Sequence, residues 1–472
     1  MKIEQIYTGC IAHSAYYLES NGEAAIFDPL REVQPYIEKA QKDGASIKYI
    51  FETHFHADFV SGHLDLAKKT GATIVYGPTA KPQFEAVIAT DNQEFKVGLY
   101  TVRAIHTPGH TMESTSYLLI DENGKEYGLI SGDTLFIGDV GRPDLAQHVI
   151  SELTPELLAS NLYDSLRNKI MPLSDDIIVY PNHGAGSACG KNMSKETTDT
   201  LGNQKRTNYA LNPSLSREEF TKQLLDGQRN PPAYFPENVL LNIRGYDSID
   251  TVMKRGLKPL TIGAFETLAN ETDALLLDTR DPEIFSQAFI PNSINIGIDG
   301  SFAMWAGALI PGVKHPILLI TEAGKEEETI TRLARVGYDN VLGYLQGSFD
   351  AWQQSGKEID RASRITAKEL ESMMESKPII IDVRNETEFD AEHINGAINV
   401  PLDYLNYNLN SFPKEQPFII HCAGGYRSMI AASILKARGW ENFADVKGGF
   451  KAIAETSVPK TNFVCQSTKA SV

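Results

Sequence analysis

Cysteine is scarce in this chain: only Cys10, Cys189, Cys422 and Cys465 occur among 472 residues, and no two of them have a short metal-binding spacing. So sparse a set fits a reducing compartment better than a disulfide scaffold. Long apolar runs are missing too. The opening stretch MKIEQIYTGCIAHSAYYL lacks the apolar core of a signal peptide, and no later run reaches membrane-spanning length. The expectation is a soluble, cytoplasmic protein with no membrane partner. Positive charge is in deficit, with 44 Lys and Arg against 61 Asp and Glu and a formal net charge of −17. That balance argues against a broad phosphate-binding surface, so nucleic acid is not an expected partner. A small anionic substrate stays compatible, because a local pocket can be positive on an acidic protein.

What is present is globular material. A hydrophobic share of 42% furnishes ordinary cores, and the length suggests about three domains. In residues 1–240, apolar runs such as AAIFDP, KYIFETH, TIVYGP and DIIVYPNH end in turn residues or histidines, as strands do when they deliver side chains to a sheet edge. Helical stretches such as LDLAKKTG lie between them, which predicts a layered α/β domain. DGQRNPPAYFPEN, with three prolines, reads as a linker or a surface strap.

The rest of the chain is a tandem duplication. LLLDTR at 275–280 matches IIIDVR at 379–384, FIPNSINI matches HINGAINV, and LQGSFDAW matches VKGGFKAI. Asp278 and Asp382 are 382 − 278 = 104 residues apart, far longer than a solenoid repeat, so each copy is a domain. We delimit them as 255–358 and 362–465. Each alternates short strands with helical segments, as a parallel α/β sheet does, and Thr366-Ala367-Lys368-Glu369 reads as a helix capping box.

Chemistry-bearing residues cluster in two places. In the first domain, Thr53-His54-Phe55-His56-Ala57-Asp58 follows the apolar run KYIF, and then come Pro108-Gly109-His110, Gly132-Asp133-Thr134 and Asn182-His183-Gly184. One HxH is weak evidence; four such segments, each beside a strand-like run, predict loops converging on a metal. His106 is read as structural. In the third domain, the strand-like PFIIH runs into Cys422, and a glycine-containing loop closes at Arg427 before a helical segment. A cysteine there faces the backbone N–H groups of a helix N-terminus, which favours thiolate, the form that attacks and carries sulfur.

The first domain resembles the metallo-β-lactamase family over nearly its whole length, which implies an αββα sandwich; Asp28-Pro29 resembles that family's first motif, whose aspartate is structural. Its dinuclear members carry HxHxDH, but Phe59 stands at the last position here. A phenyl ring removes a metal donor, which argues against a two-zinc hydrolase. His54, His110 and Asp133 match the iron-binding residues of the persulfide dioxygenases of this fold. The resemblance implies one Fe(II) per chain, with RSSH, O₂ and water converted to RSH and sulfite. His56, Asp58 and His183 then orient ligands or water around the metal. Gly141-Arg142-Pro143-Asp144 resembles a GR-x-D segment of that group, where Arg142 either anchors an acidic thiol or braces the site through Asp144. The segment from His183 to Lys191 resembles rhodanese-fused relatives. Cys189 within it is a candidate for facing substrate, with a small buried cysteine as the other reading.

The third domain resembles the rhodanese family through its C-x4-R loop and its IDVR and HINGAINVP segments, which implies sulfur transfer at Cys422 with Arg427. Phosphatase loops carry one residue more, so loop length favours sulfur over phosphate. The second domain keeps the frame but has Thr321 for the cysteine and Glu326 for the arginine, so it is expected to be inactive and to serve as a spacer or interface. The expected fold is thus an αββα sandwich followed by two rhodanese-like α/β domains with parallel sheets. The expected partners are a small thiol persulfide (of glutathione, coenzyme A or bacillithiol), O₂ and sulfite, within a homo-oligomer. A zinc thioester hydrolase of the glyoxalase II type and a non-catalytic persulfide carrier or sensor are the alternatives.

Overall fold

The structure, a computed structural model, describes residues 2–145, 153–191, 193–228 and 230–464. Cys465, the expected end of the third domain, lies outside them. The chain packs as two compact units, one of residues up to Val252 with Leu333–Asp339, the other of Met253–Arg332 with the chain from Asn340 onward.

Two six-stranded sheets build the first unit. One holds β1 (Lys2–Thr8), β2 (His13–Ser20), β3 (Glu23–Phe27), β4 (Ser46–Phe51), β5 (Thr73–Tyr76) and β6 (Val87–Ile88), neighbouring one another in chain order. The other holds β7 (Glu94–Val97), β8 (Tyr100–His106), β9 (Thr115–Ile120), β10 (Glu126–Gly132), β11 (Ile178–Pro181) and β12 (Asp199–Thr200), likewise in order. Strand alternation sorts the side chains into three layers. Tyr16, Leu18, Phe27, Phe51, Val75, Tyr117, Leu119 and Ile130 fill the space between the sheets. Their neighbours Tyr17, Ile26, Ile50 and Ile74 point the other way, onto helices α1 (Gln34–Lys42) and α2 (His63–Thr70). Leu118, Leu129 and Val179 point onto α3 (Pro155–Ser165). Each fully buried large apolar side chain contributes about 1.5–3 kcal/mol. The result is the αββα sandwich, and its both-faces-buried strands explain why the sequence reads as continuous apolar runs.

This packing fixes where the chemistry goes. The segments carrying His54, His110, Asp133 and His183 follow directly on β4, β8, β10 and β11. The proline-rich stretch, expected to be a linker or a surface strap, ends in regular structure. A helix, Phe235–Arg244, starts within it and runs across the edge expected at 240. Buried Asn242 on that helix donates to the carbonyls of His56 and Phe59, both at 2.8 Å, and accepts from the Ser61 amide at 2.9 Å. The helix is therefore part of what shapes the histidine loop.

The second unit holds two five-stranded parallel sheets with one topology. The first has the order β13 (Pro259–Leu260), β17 (Val341–Leu345), β16 (Ile317–Ile320), β14 (Leu275–Asp278), β15 (Ile294–Asn295). The second has the order β18 (Arg364–Ile365), β22 (Phe443–Val446), β21 (Phe418–His421), β19 (Ile379–Asp382), β20 (Ile398–Asn399). The repeated motifs are one buried frame built twice. Arg280 grips Asp278 with contacts of 3.0 and 2.6 Å, and Arg384 grips Asp382 with the same set. Asn295 donates to the carbonyls of Asp278 and Arg280, as Asn399 does to those of Asp382 and Arg384. Each guanidinium stacks on the Phe of the GSF or GGF segment, Phe349 at 4.1 Å and Phe450 at 4.0 Å. The Thr366–Glu369 capping box is formed as expected.

Because both acids are fully buried, Asp278→Ala and Asp382→Ala should each destabilise the second unit by about 3–5 kcal/mol, the usual cost of stranding a buried charge. Urea unfolding monitored in each variant checks this. An unperturbed transition for Asp278→Ala would mean that the first copy does not depend on its frame.

Candidate functional site

His54, His110 and Asp133 come together, all buried, with one donor atom from each within 4.8 Å of the others. His110 Nδ1 bonds the Arg142 carbonyl at 2.8 Å. A carbonyl only accepts, so in the neutral ring the proton sits on Nδ1 and Nε2 presents a bare lone pair. That lone pair lies 3.3 Å from Asp133 Oδ2, and His54 Nε2 lies 4.0 Å from the same oxygen. His54 Nδ1 is taken up by the Thr53 hydroxyl at 2.9 Å. Burial first, and then the neighbouring imidazoles of His56, His110 and His183, hold His54 well below the usual histidine range, so it is neutral. Among the described residues, neither oxygen of Asp133 has a hydrogen-bond donor. Lone pairs aimed at a buried carboxylate repel unless a cation joins them, so the donor set fits a metal.

Asp58, His183 and Cys189 form a second buried group beside it. His183 Nδ1 bonds the Ala12 carbonyl at 3.1 Å, which leaves Nε2 bare, 3.4 Å from Asp58 Oδ2 and 3.6 Å from Asp133 Oδ1. Asp133 thus faces both groups. Burial and the adjacent Asp133 raise Asp58 above the usual carboxylate range, against the pull of His183 and His56. Burial, then Asp58 and Asp133, push the Cys189 thiol well up, so it stays protonated.

His56, expected to orient a ligand or water at the metal, is turned the other way. Its Nε2 lies 3.0 Å from Asp28 Oδ1 and 3.3 Å from Glu52 Oε2. Burial alone would lower its pKa, but Asp28 and Glu52 outweigh burial and hold the ring well above the usual range. His56 is the cation that two buried carboxylates require. Asp28 also accepts from the Thr53 amide at 2.7 Å and from Asn182 at 2.8 Å, tying the histidine loop to the loop after β11. Glu52 and His63, 3.3 Å apart, were not singled out from sequence; an acid inside the apolar run KYIFETH was the available signal. Phe59, fully buried, packs its ring at 4.3 Å from both His13 and His56. His106 bonds the Met112 carbonyl at 2.8 Å.

Arg142 is buried and grips Asp144 with two contacts, of 2.6 and 2.7 Å, while its carbonyl sets the His110 tautomer. The glycine before it matters as much. A Cβ on Gly141 would stand 2.2 Å from the Asp133 carbonyl oxygen and 2.9 Å from His110 Nδ1.

In the second unit, Cys422 follows β21, buried beneath its loop. The Gly425 amide donates to Sγ at 3.1 Å and the Ser428 hydroxyl at 3.4 Å. Phe450 N–H bonds the Cys422 carbonyl at 2.7 Å, and a Cβ on Gly449 would strike that oxygen at 2.4 Å, which is why the segment reads GGF. Arg427 forms a two-point pair with Glu388, both contacts 2.7 Å. The pair outweighs burial and lowers the Glu388 carboxyl. Glu388 was missed from sequence because it lies 39 residues before its partner.

Comparison with known proteins identifies the families of the domains that carry the two sites. Residues 8–183 match the family model of the metallo-β-lactamase superfamily, and 261–355 and 366–456 match that of the rhodanese-like domain. A crystal structure of a metallo-β-lactamase from Staphylococcus aureus is 31% identical, covers 73% of this chain and 98% of its own, with a TM-score of 0.64. The chain belongs to the metallo-β-lactamase superfamily. This superfamily member carries two rhodanese-like domains after its metallo-β-lactamase domain. A probable hydroxyacylglutathione hydrolase of Schizosaccharomyces pombe is 28% identical over 38% of this chain and 66% of its own length. A cytoplasmic hydroxyacylglutathione hydrolase of Arabidopsis thaliana is 29% identical over 39% of this chain and 74% of its own. Among the described residues, no helix is long and apolar enough to cross a membrane.

Gly141→Ala should displace His110 against Asp133 and lower metal affinity by about 10- to 100-fold, the range seen when groups that orient ligands are disturbed. Competition with a chelator measures it. Unchanged affinity would show that the Gly-Arg segment does not set the metal site.

Proposed function

We propose that the first domain oxidises a low-molecular-weight thiol persulfide with O₂, and that Cys422 then moves a second sulfane sulfur onto the sulfite formed. The first reaction is RSSH + O₂ + H₂O → RSH + SO₃²⁻ + 2 H⁺. In the second, the Cys422 thiolate takes the outer sulfur of another RSSH, releasing RSH and leaving Cys–S–S⁻. Sulfite attacks that outer sulfur, the S–S bond breaks, and thiosulfate leaves as the thiolate re-forms. The chain as a whole is thereby a sulfide-detoxifying enzyme.

The observation that carries this reading is the donor set. Two imidazoles and one carboxylate stand together, while Phe59 and the carboxylate-bound His56 occupy the places of further imidazole donors. Fe(II) held by His54, His110 and Asp133, one per chain, would supply open positions for the persulfide sulfur and O₂. The protein's own groups then manage protons. His183 Nε2, bare and 3.4 Å from Asp58, is placed to take the persulfide proton, and Asp58 stabilises the imidazolium that results. Arg142, bound to Asp144, holds the loop that fixes the His110 tautomer. In the third domain, the Gly425 amide and the Ser428 hydroxyl stabilise charge on sulfur.

The hydroxyacylglutathione hydrolases among the similar proteins favour a second reading, a zinc thioester hydrolase on the same scaffold. Phe59 and the engaged His56 count against it, since both would have to serve as metal donors in a two-zinc centre.

Asp133→Ala should lose iron and O₂ uptake yet keep sulfur transfer from persulfide to added sulfite. Cys422→Ser should stop at sulfite. Linkage brings the two sites to an effective concentration in the millimolar range where geometry allows. An equimolar mixture of the two variants should therefore accumulate sulfite that the intact chain does not. Two tightly bound zincs with thioesterase activity and no O₂ uptake would falsify the reading.

A further inference from the structure

The repeat that lacks a cysteine is packed against the loop that has one. Tyr426 lies between Cys422 and Arg427 and opens the helix Tyr426–Ala437. Its hydroxyl donates to the Gly297 carbonyl of the first repeat at 2.6 Å. Its ring lies so close to Gly300 that a Cβ there would stand 2.5 Å from Tyr426 Cζ, and a Cβ on Gly297 would come within 3.2 Å of the ring. Neither glycine has a left-handed backbone conformation; close approach is what requires them. The seat is itself anchored, because Arg332 donates to the Ile298 carbonyl at 2.6 Å. Farther along the same helix, Ser433 accepts from the Asn295 amide at 2.9 Å and Lys436 pairs with Asp360 at 3.1 Å.

The Cys422 loop needs such an anchor. Gly424 and Gly425 give it little stiffness of its own, yet the Gly425 amide must point at Sγ. The direction of that amide is set by where the helix starts, and Tyr426 is the first helical residue. A misplacement of about 1 Å in a reacting constellation can cost on the order of 100-fold in rate.

We propose that the degenerate repeat is a positioning element for the Cys422 loop, acting through the seat of Tyr426 at Gly297 and Gly300. This rests on the reading of Cys422 as the sulfur carrier. It gives the first repeat a reason to keep the Asp278–Arg280–Asn295 frame without a thiol: the frame holds the strand end from which the seat is built.

The test uses the full-length, iron-loaded chain and Gly300→Ala, which puts one methyl group beneath the ring. With persulfide as donor and sulfite as acceptor, kcat for thiosulfate formation should fall about tenfold or more, while KM and O₂ uptake stay within about twofold of the parent. Tyr426→Ala should show a similar loss. Because the two changes break one contact, the double variant should be no slower than Tyr426→Ala alone. A parental kcat for Gly300→Ala, or a full further loss in the Tyr426→Ala background, overturns the proposal. If Gly300→Ala does not fold, Tyr426→Phe removes only the bond to Gly297 and should lower kcat a few-fold; a parental value overturns the seat. If the parent itself transfers no sulfur, the sulfur-carrier reading fails first. The seat is then read from iodoacetamide alkylation, with the ratio of Cys422 to Cys10 labelling expected to change in Gly300→Ala and an unchanged ratio overturning it.

Discussion

Asp133 is buried, with no donor on either carboxylate oxygen among the described residues, and the surroundings are arranged to keep it so. His110 and His183 each direct Nδ1 to a backbone carbonyl, so the neutral ring of each offers Asp133 a lone pair. An arrangement of this kind costs several kcal/mol in an apolar interior. It persists because three packed layers deliver the loops from strands that have no freedom to move apart. Gly141 lets the next segment pass within contact of both Asp133 and His110, and the Arg142–Asp144 pair locks that segment down. The fold thus supplies the precision, and a cation completes the charge balance.

The neighbouring cluster shows the opposite solution. Asp28 and Glu52 are just as buried, but the protein gives them their own cation in His56 and further hydrogen bonds from Thr53, Asn182 and Ser61. Two histidines one residue apart in THFHAD therefore have different fates. His54 is kept neutral with a free ring nitrogen, whereas His56 is consumed in holding the site's framework together. That division supports a site with few protein donors and open positions. The second unit shows a related economy: its two repeats share one buried Asp–Arg–Asn frame, and only one of them builds a thiol loop upon it.

Much of this was legible in the sequence because the relevant contacts are local. The Asp–Arg grip spans two residues, so LLLDTR and IIIDVR announce it twice, and strands ending in THFHAD or PNHG announce the edge where donors gather. The parts that were not legible depend on distant partners. Nothing near Arg427 points to Glu388. The role of Asn242 was hidden because a polar residue just past a proline-rich stretch reads as solvent-facing, whereas its amide is buried against the histidine loop. His56 misled in part for the same reason: its motif position suggests the metal, and Asp28, 28 residues away, turns it aside together with the nearby Glu52.

The most direct test of the central claim is the stoichiometry of O₂ consumed to sulfur oxidised by the purified iron form. Glutathione, coenzyme A and bacillithiol persulfides would be supplied in turn, with an oxygen electrode and sulfite and thiosulfate measured together. With the matching persulfide, uptake should require iron, consume one O₂ for each sulfur oxidised, and end in thiosulfate and free thiol. No O₂ uptake with any of the three, together with zinc-dependent cleavage of a hydroxyacylglutathione thioester, would contradict it.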